Sequence, residues 1–234
     1  MKILAITCTG GRPEAFKLCK FFMGRQTHRP DTWLIIDDCM PRTAVPQHED
    51  WIKLVHPMWL WQRKTNTIHA NLTLALEMSL EIDHDVAMLF EDDDWYAPNY
   101  IEFMAENANG GMVGLSKSHD YNVRFRSFRY NHNRHHCTGA STTWGREVTP
   151  RLLEILAGDK RAALDRIMWA RTRMFKQSLI PEYFFTGIKG LPGRPGTVRT
   201  HRKGHLLEPD PEMAKLKEWI GDDWKLYEKF GNLS

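Results

Sequence analysis

The stretch VAMLFEDDDWYAPNYI, residues 86–101, places five apolar residues directly before four consecutive acids. An apolar run of this length is typical of a strand that is buried on both faces of a parallel sheet. Four adjacent carboxylates repel one another and resist dehydration, so they require solvent, a counter-cation or raised pKa values. The stretch therefore predicts either a metal site at the end of a buried strand or an acidic turn on the surface.

Segments with strand and helix character alternate before this stretch. The runs at 2–7 and 32–37 have the composition of short buried strands, and 51–56 is a candidate third strand. Between the first two, PEAFKLCKFFMG (13–24) has helical spacing, with proline at its start and glycine at its end. Residues 62–82 place apolar side chains on one face of a predicted long helix.

This order predicts an α/β fold with an open, mainly parallel sheet covered by helices. Ligands of such sheets bind beyond the carboxyl ends of the strands. Asp37 and Asp38 follow the second strand, the acids 91–94 follow the later buried strand, and the turn TCTGGRPE (7–14) follows the first. We therefore expect these groups to line one crevice at a single edge of the sheet.

The second half of the chain has less regular patterns. The elements expected there are strands at 111–116, 121–130 and 137–145, helices at 147–157 and 161–175, a loop rich in glycine and proline at 187–205, and an amphipathic helix within 211–230. We expect that last helix either to dock on the body or to form a surface for a partner.

Composition limits the class of protein. With 234 residues, 42% of them hydrophobic, the chain is long enough for one large domain with its own core. The net charge of +3 neither requires nor excludes an anionic partner. Four cysteines without a CxxC pair predict reduced thiols and a cytoplasmic protein. No apolar run approaches the roughly 20 residues of a membrane helix, so we predict no membrane span.

Four motifs occur in a characteristic order, namely ILAITCTGGRPE (3–14), WLIIDD (33–38), FEDDDWYAPNYI (90–101) and GIKGLPG (187–193). In this order they resemble the GT-A-type glycosyltransferases, specifically the family 2-like enzymes that use nucleotide sugars. The resemblance covers residues 1 to about 205. It implies a Rossmann-like, mainly parallel sheet flanked by helices, a smaller sheet on the acceptor side and an inverting transfer.

The resemblance also implies a domain organisation. Residues 1–205 would form a single catalytic domain, with a nucleotide-sugar-binding half at 1–110 and an acceptor half at 111–205. Residues 206–234 would be a helical extension.

The same resemblance implies that the acids bind a divalent ion. Such an ion, held by carboxylates, stabilises a nucleoside diphosphate leaving group without proton transfer. Oxygen ligands suit Mn or Mg. Alignment with the family places Glu91 at its first acid and Asp93 and Asp94 at the others, and Asp93 is the predicted principal ligand. A register of Asp92 and Asp94 remains open. The family's third ligand corresponds to His201, with His205 as a competitor.

The resemblance further implies which residues contact the nucleotide sugar. They are Thr7, Thr9, Arg12, Asp37, Asp38, Arg63, Asn71, Glu91 and Asp92. Asp37 or Asp38 would accept a hydrogen bond from the base, which favours uridine. Arg12 has a second interpretation as a solvated charge at a helix start. Arg63 or Lys64 is assigned to the phosphates because Ala70 stands where the family has an arginine.

An inverting transfer needs a general base for the acceptor hydroxyl, usually an aspartate or glutamate. By resemblance this residue is Asp165, within DKRAALDRIMWART, and Asp159 is the fallback. An aspartate beside arginine on a helix is also commonly a surface ion pair, so both interpretations stay open.

The acceptor half is basic, since no acid lies between Asp120 and Glu147. Arginines and aromatic residues in this interval have the composition of a surface for an anionic polymer. The candidate acceptor-binding residues are Arg124, Arg126, Arg129, Arg134 and Trp144. The alternative is that the arginines form the solvated face of an edge strand and the aromatics its buried face.

Several functions fit these residues. The first acceptor hypothesis is a hydroxymethylated base in DNA, as used by some bacteriophage enzymes, and the second is a saccharide or lipid-linked glycan of a surface polysaccharide. Hypotheses of another class are a two-metal nuclease and a non-catalytic DNA-binding module. A zinc site within NHNRHHC (131–137) is disfavoured because its spacing matches no standard finger.

Overall fold

A computed structural model gives the structure of this protein and describes residues 1–40, 42, 49–57, 67–158, 164–193 and 207–231. The strands are β1 (Ile3–Thr9), β2 (Thr32–Asp37), β3 (Ile52–Val55), β4 (Val86–Leu89), β5 (Trp95–Tyr96), β6 (Met112–Leu115), β7 (Lys117–Asn122), β8 (Ser127–His132), β9 (Thr142–Gly145), β10 (Gln177–Ile180), β11 (Phe185–Lys189) and β12 (Glu208–Pro209). The α-helices are α1 (Pro13–Gly24), α2 (Ile68–Ser79), α3 (Tyr100–Glu106), α4 (Thr149–Gly158), α5 (Leu164–Arg171) and α6 (Ala214–Ile220).

The main sheet has seven strands in the order β10-β6-β9-β4-β1-β2-β3. Its neighbouring strands pair in parallel, except that β9 runs antiparallel to both β4 and β6. The carboxyl ends of β1, β2 and β4 therefore meet at one edge, which we call the ligand edge. This arrangement confirms the predicted α/β fold with a mainly parallel sheet and brings the three predicted strand ends together.

Strand β4 separates the two apolar layers of the molecule. Val86 and Met88 pack into the layer that contains α1, α3 and the second sheet, whereas Ala87 and Leu89 pack into the layer that contains α2, α4 and α5. Because side chains alternate across a strand, only a continuous apolar run fills both layers. The run before the acids is thus the central buried strand that its composition predicts.

The second sheet has the order β12-β8-β7-β11-β5. Its β7–β8 hairpin corrects the prediction of one strand at 121–130, because residues 123–126 form a turn between the two strands. The Asn122 side chain accepts hydrogen bonds from the backbone N–H groups of Arg124 and Phe125, each at 3.1 Å, and Arg126 adopts a positive φ of 46°. Asparagine bonded to its own following backbone is turn chemistry. Apolar residues and arginines alternate through residues 123–126, so the sequence pattern predicted a continuous strand there.

The C-terminal segment docks on the body. The predicted helix within 211–230 is broken, because α6 ends at Ile220 and Gly221, with φ 55°, leads into 3₁₀ turns that reach Phe230. Leu216, Ile220 and Phe230 are buried in the same apolar layer as α1 and the second sheet.

Two other predicted elements are shorter than expected in the described parts. The strand predicted at 137–145 is only Thr142–Gly145, after a 3₁₀ turn at Gly139–Ser141, and the helix predicted at 161–175 ends at Arg171. Helix α2 begins at Ile68, and the predicted residues 62–66 lie outside the described residues. Residues 187–189 of the predicted loop belong to β11, and 194–206 lie outside the description. All four cysteines are free. Among the helices of the described residues, none has the length and apolar character to cross a bilayer.

Candidate nucleotide-sugar and metal site

The acid run follows β4 at the ligand edge and is buried. Asp92, Asp93 and Asp94 are only 1%, 5% and 1% exposed, and Glu91 is half-buried. An acidic surface turn would leave these side chains in water, so that interpretation of the run is wrong. Carboxylates at this depth need compensating cations.

Arg12 supplies one of those cations from the turn after β1. Its Nη1 donates to Asp93 Oδ2 at 2.8 Å, and its Nε donates to Asp92 Oδ2 at 3.2 Å. A further ion pair joins its Nη2 to Asp92 Oδ1. Burial opposes the charge on Arg12, but Asp92 and Asp93 outweigh that effect and raise its pKa. The side chain is 17% exposed, so Arg12 is a buried member of the site and not a solvated charge.

Lys189 supplies the second cation from the end of β11. Its Nζ donates to Asp94 Oδ1 at 3.0 Å, and the same oxygen accepts the backbone N–H of Ile188 at 2.8 Å. Burial opposes the lysine charge, yet Asp94 and the neighbouring carboxylates raise its pKa. The second sheet is thereby tied to the acid run.

A group of three acids remains suited to a metal ion. Glu91, Asp93 and Asp94 each offer a carboxylate oxygen within 4.8 Å of the others, the only such group of histidine, cysteine and acidic side chains among the described residues. Asp94 Oδ2 is buried and has no hydrogen-bond partner within the described part of the chain. Buried polar atoms are normally partnered. Three hard oxygen donors with one orphaned atom fit a Mn or Mg ion.

The charge balance of the site favours one further cation. Four carboxylates face one guanidinium and one ammonium, which leaves a formal charge of −2 when all are ionised. Burial raises the pKa of Glu91 to about 7, with Asp93 adding to the shift, and burial raises the pKa of Asp92 to about 6. Burial also raises the pKa of Asp94, although Lys189 opposes this. A single divalent ion would offset this excess.

The end of β2 forms a buried polar cluster next to the acids. Asp38 Oδ2 accepts a hydrogen bond from Asn71 Nδ2 at 2.8 Å and one from the Thr67 hydroxyl. Thr9 Oγ1 donates to Asp92 Oδ2 at 2.7 Å, and the Thr9 carbonyl accepts the backbone N–H of Asp38 at 3.3 Å. Four residues predicted to contact the nucleotide sugar are therefore joined in one network at the ligand edge.

Two other predicted contacts lie deeper. Thr7 is fully buried inside the sheet, where its hydroxyl donates to the Phe90 carbonyl at 2.6 Å and accepts from Trp33 Nε1 at 2.8 Å. Asp37 is 1% exposed, and its Oδ1 accepts the Cys39 backbone N–H at 3.3 Å. These hydrogen bonds hold the ends of β1 and β2 in place.

The candidate base Asp165 lies in the first turn of α5 and is half-buried. It lies close enough to Cys137 to raise the pKa of that thiol, although burial is the main reason that this pKa rises to about 12. The Cys137 sulfur lies 2.9 Å from Thr142 Oγ1. A neutral, buried thiol is not a nucleophile. Cys137 therefore has a structural role next to Thr142 and is not a candidate nucleophile.

The predicted acceptor residues are dispersed. Arg129 Nε donates to Asp120 Oδ2 at 2.8 Å, while Arg126 Nη1 donates to the Pro211 carbonyl at 2.9 Å. Arg124 is exposed beside Phe125, and Arg134 lies in a separate cleft. Trp144 is fully buried in β9, with its Nε1 donating to Thr149 Oγ1 at 3.1 Å. The structure does not bring these five residues into one surface.

Some predicted residues lie outside the described part of the chain. They are Arg63, His201 and the alternatives Lys64, Asp159 and His205.

Two residues of the site had no local signal in the sequence. Lys189 stands in GIKGLPG, where a lysine between glycines suggests solvent exposure, yet it is 9% exposed. Asp120 is 5% exposed and faces the same region, since a Cβ added to Gly187 would lie 2.6 Å from Asp120 Oδ1 and 3.2 Å from Lys189 Nζ. Only the pairing of β7 with β11 brings them together.

Sheet order, the acid run and the second sheet together define a GT-A glycosyltransferase fold. Among solved structures, S. aureus TarS 1–349 in complex with UDP aligns with a TM-score of 0.54 at 11% identity, over 81% of this chain and 61% of that one. A mannosyltransferase, PcManGT from Pyrobaculum calidifontis in complex with GDP-Man and Mn²⁺, aligns with a TM-score of 0.51 at 13% identity, over 88% and 59%.

TarS 1–349 in complex with UDP-GlcNAc aligns with a TM-score of 0.51 at 11% identity, over 81% of this chain and 59% of that one. The chain thus spans about three fifths of these structures. At these identities the likeness establishes the fold. No profile of a known protein family and no curated protein sequence matches the chain.

Proposed function

We propose that this protein is a metal-dependent glycosyltransferase that moves a sugar from a nucleoside diphosphate sugar to a hydroxyl acceptor. The observation that carries the proposal is the buried Asp94 Oδ2, which has no hydrogen-bond partner among the described residues and belongs to the group of Glu91, Asp93 and Asp94 at the ligand edge of a GT-A sheet. Structures with the same fold contain UDP, UDP-GlcNAc, or GDP-Man with Mn²⁺, which supports a nucleotide-sugar donor and a divalent ion.

In this proposal Glu91, Asp93 and Asp94 hold the ion, with His201 as an additional candidate ligand. When bound, a divalent ion stabilises the negative charge that develops on the diphosphate leaving group. Arg12 holds Asp92 and Asp93 in place through its three hydrogen bonds. Lys189 holds Asp94 in the same way and would add a fixed positive charge beside the phosphates. Preorganised charges of this kind favour the transition state because they need no rearrangement.

The polar cluster at the end of β2 is the proposed site for the nucleoside. Thr67 and Asn71 hold the Asp38 carboxylate by hydrogen bonds, and Asp37 or Asp38 would accept a hydrogen bond from the base. A carboxylate that accepts the N–H of a pyrimidine ring favours uridine over bases with an acceptor at that position. Arg63 or Lys64 would contact the phosphates.

Asp165 is the proposed general base. It would accept the proton of the acceptor hydroxyl as the oxygen attacks the anomeric carbon and the bond to the diphosphate breaks. The acceptor hydroxyl is tested in two forms, a hydroxymethylated base in DNA and a saccharide.

A two-metal nuclease is disfavoured by the way in which the acids are engaged. Two-metal sites hold ions about 3.5–4 Å apart with several shared carboxylates. Here both Asp92 oxygens accept hydrogen bonds from Arg12, and one of them also accepts from Thr9. The formal charge of −2 that remains at the site is matched by one divalent ion.

The test measures nucleoside diphosphate release from UDP-, GDP- and TDP-sugars with Mn²⁺, with and without hydroxymethylated duplex DNA or free saccharides. We expect release with one donor class, and Asp93→Asn should lower it by at least about a hundredfold, as for loss of other charge-stabilising groups. The matched control is Asp222→Asn, since this carboxylate is 91% exposed.

Each outcome has a distinct meaning. Release that requires DNA identifies a DNA-modifying enzyme, and release with saccharides moves the acceptor to glycans. If no donor binds by calorimetry and none is consumed, or if Asp93→Asn behaves like Asp222→Asn, the proposed function is rejected.

A further inference from the structure

A second cleft lies beside the outer edge strand of the main sheet, away from the acid run. It has a volume of about 320 Å³ and is open to solvent. The residues that line it are Arg134, His135, Trp169, Arg173, Gln177 and Leu179. The charge of the cleft and its position near Asp165 both indicate a binding site.

The cleft is positively charged without compensation from its own walls. Arg134, His135 and Arg173 are exposed, and no carboxylate is among the lining residues. Within the described residues neither guanidinium forms an ion pair, in contrast to Arg129, which is paired with Asp120. Two arginines that converge on one cavity are suited to bidentate recognition of an oxyanion such as a phosphate.

The floor of the cleft is rigid. Trp169 is 1% exposed, and its Nε1 donates to Thr142 Oγ1 at 3.2 Å. Gln177 Nε2 donates to the Trp169 carbonyl at 2.7 Å and to Thr172 Oγ1 at 3.0 Å, which fixes the end of α5 just before Arg173.

The cleft is also placed next to the candidate base. Trp169 and Asp165 lie four residues apart on α5, so they share one face of that helix. Arg134 and His135 lie two or three residues before Cys137, whose thiol is close enough to Asp165 to be influenced by its charge. Helix α5 therefore presents the base at one end and the basic cleft further along.

We infer that this cleft binds a phosphate group of the acceptor and so directs the neighbouring hydroxyl to Asp165. This inference rests on the proposed function and adds the chemical class of the acceptor, a hydroxyl compound that carries a phosphate ester. Arg134 and Arg173 are specificity residues in this scheme, and they contact neither the donor nor the metal.

The first measurement needs no donor. Retention on phosphocellulose is compared between Arg134→Gln/Arg173→Gln and Arg29→Gln/Arg146→Gln, two double variants with the same loss of charge. Arg29 and Arg146 are exposed and do not line the cleft, since one lies over the Trp51 ring and the other beside Asp83. We expect only the cleft variant to elute at clearly lower salt, because it loses the paired phosphate contacts. Equal elution of both variants would overturn the inference.

The second measurement uses matched acceptors with the preferred sugar donor. The pairs are glucose with glucose 6-phosphate, and 5-hydroxymethyl-2′-deoxycytidine with its 5′-monophosphate. We expect the phosphorylated member of one pair to be preferred by tenfold or more in kcat/KM, and the cleft variant to lose that preference. The pair that shows the effect identifies the source of the phosphate.

The two hypotheses fail in different ways. If no donor is bound or hydrolysed, the proposed function fails, whereas the retention experiment still reports on the cleft. If donor is hydrolysed but neither phosphorylated acceptor is preferred, or if the cleft variant keeps the preference, the inference is wrong and the glycosyltransferase proposal stands.

Discussion

Two groups of like-charged residues that are close together in sequence are placed differently by the fold. The acids after β4 converge on one buried site, where Arg12 and Lys189 compensate them. The arginines from 124 to 134 separate, since Arg129 pairs with Asp120 and Arg126 bonds to the Pro211 carbonyl. A central strand delivers its acids to one place, whereas a hairpin turns its residues to several sides. Like charge in sequence is therefore strong evidence for a site only when a buried strand precedes it.

The largest expected effect concerns Asp165, the proposed general base, which lies in the same half of the chain as the dispersed arginines. Asp165→Asn should lower kcat by about 10²- to 10⁴-fold, because an amide cannot accept the proton of the hydroxyl. Donor affinity, measured by calorimetry, should be unchanged. The control is Glu154→Gln on the neighbouring helix α4, an acid that is 67% exposed.

If Asp165→Asn and Glu154→Gln have the same activity, the base lies elsewhere and Asp159 becomes the candidate. A matched loss of donor affinity would instead indicate that Asp165 supports the donor site.

The second-largest expected effect concerns the contribution of Lys189, the cation that pairs with Asp94, to the free energy of unfolding. Lys189→Met should lower the free energy of unfolding by about 3–5 kcal/mol, because it leaves the buried Asp94 carboxylate without its cation. Urea unfolding at neutral pH measures this change. Lys225→Met is the control, since its ion pair with Asp222 is on the surface and should contribute less than about 1 kcal/mol.

A second substitution sharpens this test. Lys189→Met combined with Asp94→Asn removes both charges and should recover part of the lost stability. An Asp94→Asn substitution that fails to recover any stability would mean that Lys189 acts through packing and not through charge.

These two regions also show how far sequence reasoning reaches. The central strand, its acids and the parallel order could be predicted because each depends on a local run or on strand ends that share one edge. Lys189 and Asp120 could not, because their burial depends on the pairing of β11 with β7 across more than 60 residues. The hairpin at 123–126 was missed because its apolar alternation continues through the turn that Asn122 organises.

A third prediction concerns the second sheet on the side away from the acids. His119 is stacked between the rings of Tyr183 and Trp219, with centroid distances of 4.4 Å and 3.8 Å. Burial lowers the pKa of His119 from about 6.5 to about 4, although Glu218 and Asp120 favour its charge and Lys215 disfavours it. Between these two pH values the unfolded chain binds a proton that the folded chain does not.

The contribution of His119 to stability should therefore be complete above about pH 6.5 and be lost as the pH falls toward 4, by up to about 3 kcal/mol. His119→Phe keeps a ring in the stack and removes the titration, so its free energy of unfolding should depend less on pH in this window. Parallel curves for the variant and the wild type would show that His119 is protonated in the fold.

The smallest effects separate the arginines of the hairpin from one another. Arg129→Ala should lower the free energy of unfolding by about 1 kcal/mol, because Asp120 loses its partner while remaining 8% exposed at its side chain. Arg124→Ala should change it by less than about 0.5 kcal/mol, since the Arg124 side chain is exposed and its guanidinium lies over the Phe125 ring, 5.6 Å from its centroid. Urea unfolding of both variants measures the difference. If the arginines formed one charged surface, the two substitutions would change the free energy of unfolding by similar amounts. Unequal changes would mean that the contribution of each arginine depends on its own long-range partner.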